Sequence, residues 1–210
     1  MADRWATFDC YGTLIDWNGG IRGQLARVFG DERADALLVR YHVLEPMLEA
    51  DGTRSYREVL TEAMRGLGAP QDEEEALARS LPDWQPFPEV HDALEQARGR
   101  GWKLAVLSNT DPDYIEASLE RIDVPFDLVI VASEIGSYKP ALGHWRTFEE
   151  RVGRLPDVHV AASLFHDVAP ATELGLPSIW INRLGETAGP RSTRELPDLT
   201  SLADTLEEVA

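Results

Sequence analysis

Cysteine is nearly absent from this chain of 210 residues; Cys10 stands alone. That excludes an internal disulfide and a cysteine-based zinc site, and it makes a reducing cytoplasm the simplest home. No run approaches the roughly 20 apolar residues of a membrane span. The N-terminus shows no basic region followed by an apolar core, so no secretory leader is expected. Positive charge is scarce as well: 20 Lys and Arg stand against 37 Asp and Glu, a formal net charge of -17. Phosphate backbones want basic surface, so nucleic acid is not an expected partner. The chain has neither a Gly-x-x-x-x-Gly-Lys loop nor a Gly-x-Gly-x-x-Gly turn, and so no phosphate or dinucleotide cradle. It contains no internal repeat and no low-complexity tract. His42, His91, His144 and His159 lie far apart without metal-ligand spacing and read as surface or core filler.

What is there is a globular composition, 43% apolar, in one or two domains. Short apolar runs recur at Trp5–Phe8, Leu104–Leu107, Leu128–Val131, Val158–Ala162 and Ile179–Ile181. Each is apolar on both faces, as central parallel strands are. Helical spacing fills the intervals Val90–Arg100, Asp113–Ile122, His144–Val152 and Ala169–Leu174. The alternation predicts an α/β fold with a doubly wound parallel sheet. The interval 16–86 breaks the rhythm. Leu37, Leu38, Val39, Tyr41, Leu44, Met47 and Leu48 recur at helical spacing, as do Tyr56, Val59, Leu60, Ala63, Met64 and Leu67. Asp72–Glu75 reads as an acidic helix start, and Pro82, Pro86 and Pro88 mark a return to the core. The expected organisation is an α/β core of residues 1–15 and 87–210 with an inserted helical cap, 16–86.

Four stretches can carry chemistry. In Trp5-Ala6-Thr7-Phe8-Asp9-Cys10-Tyr11-Gly12-Thr13 an apolar run ends in an aspartate and a glycine turn follows. A parallel sheet delivers a carboxylate to its open C-terminal edge in this way, where it can act as a covalent nucleophile. The bland alternative is a strand end with an Asx-type turn. Leu107-Ser108-Asn109-Thr110 ends a second strand in side chains that donate hydrogen bonds without charge. In Ser137-Tyr138-Lys139-Pro140 an ammonium in extended backbone could neutralise Asp9 or pair with a substrate carboxylate. In Ser163-Leu164-Phe165-His166-Asp167 a second aspartate follows a strand and can sit opposite Asp9 as a general base.

Taken in order, these stretches resemble the four motifs of the haloacid dehalogenase superfamily, and the Asp-x-Tyr-Gly-Thr form, the Ser-Asn pair and the Trp-Ile-Asn-Arg ending at 180–183 resemble its 2-haloacid dehalogenase branch. The resemblance implies the α/β core with a helical cap, Asp9 as nucleophile, Thr13 orienting it, Lys139 beside it and Asp167 activating water. It also implies that Tyr11 walls the pocket, Ser108 holds the substrate carboxylate, Asn109 faces the departing halide, and Ser163 and His166 complete the substrate site. Arg40, 31 residues after Asp9 in an Arg-x-x-x-Leu-Glu context, matches the halide-binding arginine. The implied reaction turns a short 2-haloacid into a 2-hydroxy acid through an ester on Asp9. The implied partner is a small anionic substrate, and since relatives often pair, a homodimer. An acidic protein repels such a substrate at long range, so Arg40 and Lys139 are the expected local remedy. Tyr11 and Ala171 stand where metal-dependent relatives carry acids, so no cofactor is expected. Magnesium belongs only to the main alternative, a phosphohydrolase; a further alternative is a non-catalytic binding protein on the same fold. Three positions depart from the dehalogenase pattern: Leu164 replaces an asparagine, Trp145 a tyrosine, and His166 a bulky aromatic. His166 offers a smaller ring with a hydrogen-bond donor, and turnover of fluoroacetate is therefore an expectation of its own.

Overall fold

The computed structural model describes residues 3–50, 52–187 and 189–209. Its centre is a six-stranded sheet in the order β3-β2-β1-β4-β5-β6, parallel at every pairing. Strand β1 (Arg4–Phe8) is buried from Trp5 onward, as a strand covered by helices on both faces must be. The chain leaves it through a tight turn at Gly12, whose φ of 87° suits glycine. It then enters four helices before returning to the sheet.

Helix α1 (Trp17–Phe29) starts where Asp16 accepts the Gly19 N–H at 2.9 Å. Helix α2 (Asp31–Glu49) follows directly, and α3 (Tyr56–Leu67) opens on a reciprocal Ser55–Glu58 capping box. The acidic stretch expected to start a helix forms a 3-10 turn, Gln71–Glu73, ahead of the short α4 (Ala76–Ser80). The chain leaves and re-enters the sheet layer side by side. Ile15 bridges Pro86, Asp16 N–H donates to Gln85 O, and Phe87 N–H donates to Leu14 O.

The remainder alternates as expected: α5 (Val90–Gly99), β2 (Trp102–Ser108), α6 (Pro112–Ile122), β3 (Leu128–Val131), α7 (Ala132–Ile135), α8 (Gly143–Val152), β4 (Val158–Ala161), α9 (Ala169–Glu173) and β5 (Ser178–Ile181). Three elements lie beyond the sequence expectation. They are the short helix α7, the edge strand β6 (Arg194–Leu196) and helix α10 (Leu202–Val209). Strand β6 is short and largely exposed, so it lacks the apolar run that marks the central strands.

Strand order reverses at β1, which has β2 on one side and β4 on the other. The loops leaving β1 and its neighbours therefore diverge, opening a crevice at their carboxyl ends. The inserted helices are tied over that crevice by the core. Asp111, following β2, accepts the Tyr56 and Arg57 N–H groups of α3's first turn, each at 2.9 Å. It supplies the negative charge that an unsatisfied helix N-terminus favours. Tyr138 adds a bond from its hydroxyl to Arg54 O at 2.8 Å.

Candidate active site

Asp9 is the first polar residue past β1, and the geometry around it follows from the sheet. Its N–H still pairs with Val160 O at 3.0 Å, so the strand ladder fixes its backbone while its side chain projects past the sheet edge. Thr13, one turn on, donates its hydroxyl to Asp9 Oδ2 at 2.8 Å and accepts the Ala162 N–H at 2.9 Å. Arg183 braces the same turn by donating to Thr13 O at 2.9 Å and to Glu89 at 2.7 Å, with its guanidinium over the Phe87 ring.

Lys139 reaches across from the segment after β3. Its Nζ donates to Asp9 Oδ1 at 2.8 Å, Asp167 Oδ1 at 2.6 Å and Leu107 O at 2.9 Å, which uses all three ammonium hydrogens. The ammonium is buried, and the two carboxylates hold its pKa above the ordinary lysine range despite that burial. Asp167 is buried too. Burial alone would raise its pKa, but Lys139 and a hydrogen bond with His159 drive it below the ordinary carboxylate range. One ammonium thus bridges both aspartates.

Asp167 sits in a π-helical turn, Leu164–Val168, where Val168 N–H and Ala169 N–H reach back five residues. Such turns aim a side chain that a regular helix would turn away. Ser163 caps the turn: its Oγ accepts the His166 N–H at 3.0 Å and lies 3.1 Å from His166 Nδ1. With the hydroxyl hydrogen given to Nδ1, the ring proton of a neutral His166 is on Nε2. Burial keeps that imidazole neutral by lowering its pKa.

A cavity of about 830 Å³ opens over these groups, lined by Asp9, Tyr11, Ser108, Asn109, Ser163 and His166 among others. Tyr11 stacks its ring on Tyr56 and bonds its hydroxyl to Ser118, which makes it a wall rather than an acid. Ser108 is fully buried, and its Oγ has no partner among the described residues. Asn109 is already engaged. Its Nδ2 donates to Glu49 and Lys139 O, and its Oδ1 accepts the Lys139 N–H at 2.7 Å.

The structure brings together Asp9, Thr13, Lys139, Asp167, Tyr11, Ser108, Asn109, Ser163 and His166. It leaves out Arg40. That side chain is exposed on α2, does not line the cavity, and makes only a 3.4 Å contact with Gly66 O. The face of α2 turned inward carries Leu37, Tyr41, Glu45 and Glu49, spaced by four. Arg40 lies about 100° away from Tyr41 around the helix. In place of a guanidinium the cap presents two carboxyls to the cavity. Glu45 Oε1 accepts from Tyr41 Oη at 3.0 Å and Tyr56 Oη at 2.7 Å, and Glu49 Oε2 accepts from Asn109 Nδ2 at 3.2 Å. Burial pushes the Glu45 pKa up to about 7 and raises that of Glu49 well above the ordinary range. Sequence reading missed both, because an acidic residue on an amphipathic helix reads as solvated. It also passed over His159, which is fully buried on β4 and bridges Thr7 Oγ1 at 2.8 Å to Asp167 Oδ1 at 2.9 Å.

Magnesium, which the phosphohydrolase alternative needs, does not fit this donor set. No group of three or more His, Cys, Asp or Glu side chains among the described residues could hold an ion. The ammonium of Lys139 already bridges Asp9 and Asp167, and the position two residues after Asp9 is the tyrosine wall. Among the described residues no helix is long and apolar enough to cross a membrane.

The chain is 29% identical to an (S)-2-haloacid dehalogenase of a Pseudomonas species (strain YL), covering 97% of this chain and 94% of that protein. It is 29% identical to a phosphoserine phosphatase of Thermus thermophilus, covering 81% and 72%. The crystal structure of an L-2-haloacid dehalogenase superposes with a TM-score of 0.84 at 23% identity, covering 99% of this chain and all of that one. A profile of haloacid dehalogenase-like hydrolases matches residues 4–165, and the chain belongs to that family.

Proposed function

We propose that this protein hydrolyses a short 2-haloacid to the 2-hydroxy acid through an ester on Asp9. The observation that carries the reading is the Lys139 bridge between Asp9 and Asp167, set under a cavity whose second acid position is Tyr11. A nucleophile bridged by one ammonium to a base that the same ammonium holds ionised suits two successive displacements. First, an Asp9 oxygen attacks the carbon bearing the halogen; the C–O bond forms and the halide departs with the bonding pair. Then Asp167 takes a proton from water, whose oxygen adds to the Asp9 carbonyl carbon, and the product leaves as the alcohol. Only the first step touches the substrate carbon, so a chiral substrate is inverted. Thr13 orients the nucleophile, and the free Ser108 hydroxyl is the natural donor to the substrate carboxylate.

A phosphohydrolase would need an acid where Tyr11 stands and a metal that the donor set does not accommodate. A purely binding role leaves unexplained why two buried aspartates are gathered around one ammonium. The test is a single turnover in oxygen-18 water, with halide release from 2-haloacids assayed beside phosphate release in added magnesium. Label is expected in Asp9, with halide release unaffected by chelator. Label directly in the product hydroxyl, or phosphate release alone, overturns the proposal.

A further inference from the structure

Asp167 is gripped from two sides at one oxygen. Lys139 Nζ donates to Oδ1 at 2.6 Å, and His159 Nε2 lies 2.9 Å from the same atom. The dehalogenation chemistry employs Lys139 but gives His159 no part. Yet a fully buried histidine inside a strand is costly unless its ring nitrogens are met. Both are met, the second by Thr7 Oγ1 at 2.8 Å. Thr7 and His159 are register partners on the adjacent parallel strands β1 and β4, and Thr7 stands two residues before Asp9. Hydrogen bonds therefore run from Asp9 through Lys139, Asp167 and His159 to Thr7, beginning and ending on the chain of β1. Trp145 packs on the imidazole in a T-shaped contact, with ring centroids 5.3 Å apart.

The placement of hydrogens follows from the partners. Asp167 is an anion beside Lys139, so the ring nitrogen that faces it carries the hydrogen. The other nitrogen agrees. Thr7 Oγ1 has one hydrogen and two acceptors in reach, His159 Nδ1 at 2.8 Å and Val158 O at 3.2 Å. The shorter contact leaves Nδ1 as the acceptor and Nε2 as the donor. Asp167 Oδ1 thus takes two N–H donors, which fill its two lone pairs. Oδ2 has no partner among the described residues, and Asp167 lines the cavity. Oδ2 is the oxygen left to accept a proton.

We propose that His159 is the positioning residue of the hydrolytic step. With Lys139 it occupies Asp167 Oδ1, so that Oδ2 alone takes the proton from water, and through Thr7 it ties that base to the strand that carries the nucleophile. The inference rests on the dehalogenation reading and deepens its second step. Water gives one proton to Asp167 Oδ2 while its oxygen bonds to the Asp9 carbonyl carbon. When the bond from that carbon to the substrate oxygen breaks, the leaving oxygen takes the proton back from Oδ2 and departs as the alcohol. The proton of the renewed Asp9 carboxyl passes to solvent, and His159 keeps its own throughout. The first step, attack by Asp9 with departure of halide, moves no proton. Loss of His159 therefore falls on the second step, where a base misplaced by about 1 Å can cost on the order of a hundredfold.

The experiment separates the two steps in single turnovers with 2-chloropropanoate. Chloride release times the first, and loss of the ester mass from the Asp9 peptide times the second. In His159→Leu ester hydrolysis should slow by about tenfold or more and chloride release by less than about threefold, so that ester accumulates. Glutamine can place an amide N–H where Nε2 stands, and asparagine is too short to do so. His159→Gln should therefore hydrolyse the ester within about threefold of the wild-type rate, while His159→Asn should behave as His159→Leu. A purely structural role would slow both steps together or treat the two amides alike. Either result overturns the proposal, as does unchanged ester hydrolysis in His159→Leu. A second readout needs no turnover. In nitrogen-15 spectra of histidine-labelled protein, the ring signal that His159→Gln removes should show its proton on Nε2, exchanging slowly with solvent. If no haloacid is turned over, the dehalogenation reading fails, and this signal still decides whether His159 holds Asp167: a slowly exchanging Nε2 proton upholds the hold, whereas a bare Nε2 refutes it.

Discussion

Replacing Lys139 by methionine should invert the pH dependence of stability that Asp167 contributes. Methionine keeps much of the length of the lysine stem and removes the ammonium. Lys139 Nζ lies 2.8 Å from Asp9 and 2.6 Å from Asp167, and Asp167 is 1% exposed, so the loss leaves two carboxylates facing each other out of water. Breaking a buried pair from one side costs about 3–5 kcal/mol, which corresponds to a rise of roughly 2–4 pH units in the carboxyl's midpoint. In the wild type the folded-state pKa of Asp167 is depressed. Its contribution is present above the unfolded value of about 4 and is lost as pH falls towards the folded value. In the variant burial dominates, the folded value rises above the unfolded one, and stability is lost as pH climbs between the two. The difference in unfolding free energy between the proteins should therefore be present already near pH 4 and widen as pH climbs, reaching about 3 kcal/mol or more by pH 8. Urea denaturation of both proteins across that range measures it, and taking the difference cancels the groups that Lys139 does not reach. A gap that stays under about 1 kcal/mol at pH 8, or that narrows as pH rises, would refute the placing of Lys139 as the counter-ion of Asp167.

Other substitutions separate the groups in the site from those outside it. Arg40→Ala should change kcat/KM by less than about twofold and stability by no more than about 0.5 kcal/mol, because the side chain is exposed; a hundredfold loss with haloacids would place the guanidinium over the cavity. Thr13→Val should lower kcat more than it raises KM and cost about 1–3 kcal/mol of stability, since it removes a donor to Asp9 and strands the Ala162 N–H; unchanged kcat would remove Thr13 from the machinery. In His159→Leu the base loses a donor that lowers its pKa, so the acid limb of the kcat profile should move to higher pH; an unmoved limb with only a lower Tm would make His159 structural.

The sheet was readable because its signal is local. Val106 and Leu107 on β2 and Val160 and Ala161 on β4 are apolar on both faces of their strands, and only central parallel strands bury both. Asp9, Lys139 and Asp167 were readable for a related reason: a polar residue directly past such a strand, or in the loop that follows it, has a position set by the strand itself. Strand β6 gave no such signal. Its Arg194 and Glu195 are exposed, and its pairing with β5 comes from register with Ile179 and Trp180 rather than from any apolar run of its own. His159 was hidden differently. One polar residue within the apolar run Val158–Ala161 reads as a blemish until Asp167 and Thr7 are seen on either side of it.

The cap was legible as helix but not in phase, and the phase decides the chemistry. Leu37, Leu38, Val39, Tyr41, Leu44, Met47 and Leu48 made an apolar set at helical spacing, yet Val39 and Met47 are among the most exposed large apolar side chains. The buried row is Leu37, Tyr41, Glu45 and Glu49, half of it acidic, so hydrophobic periodicity marked its first two residues and passed over the glutamates. Turning α2 by one residue would bring Arg40 inward and turn the glutamates away from the cavity. What holds the observed phase lies elsewhere in the chain: Tyr56 on α3 donates to Glu45, and Asn109 after β2 donates to Glu49. No local pattern encodes those partners, because a buried carboxyl is tolerated only where distant donors meet it.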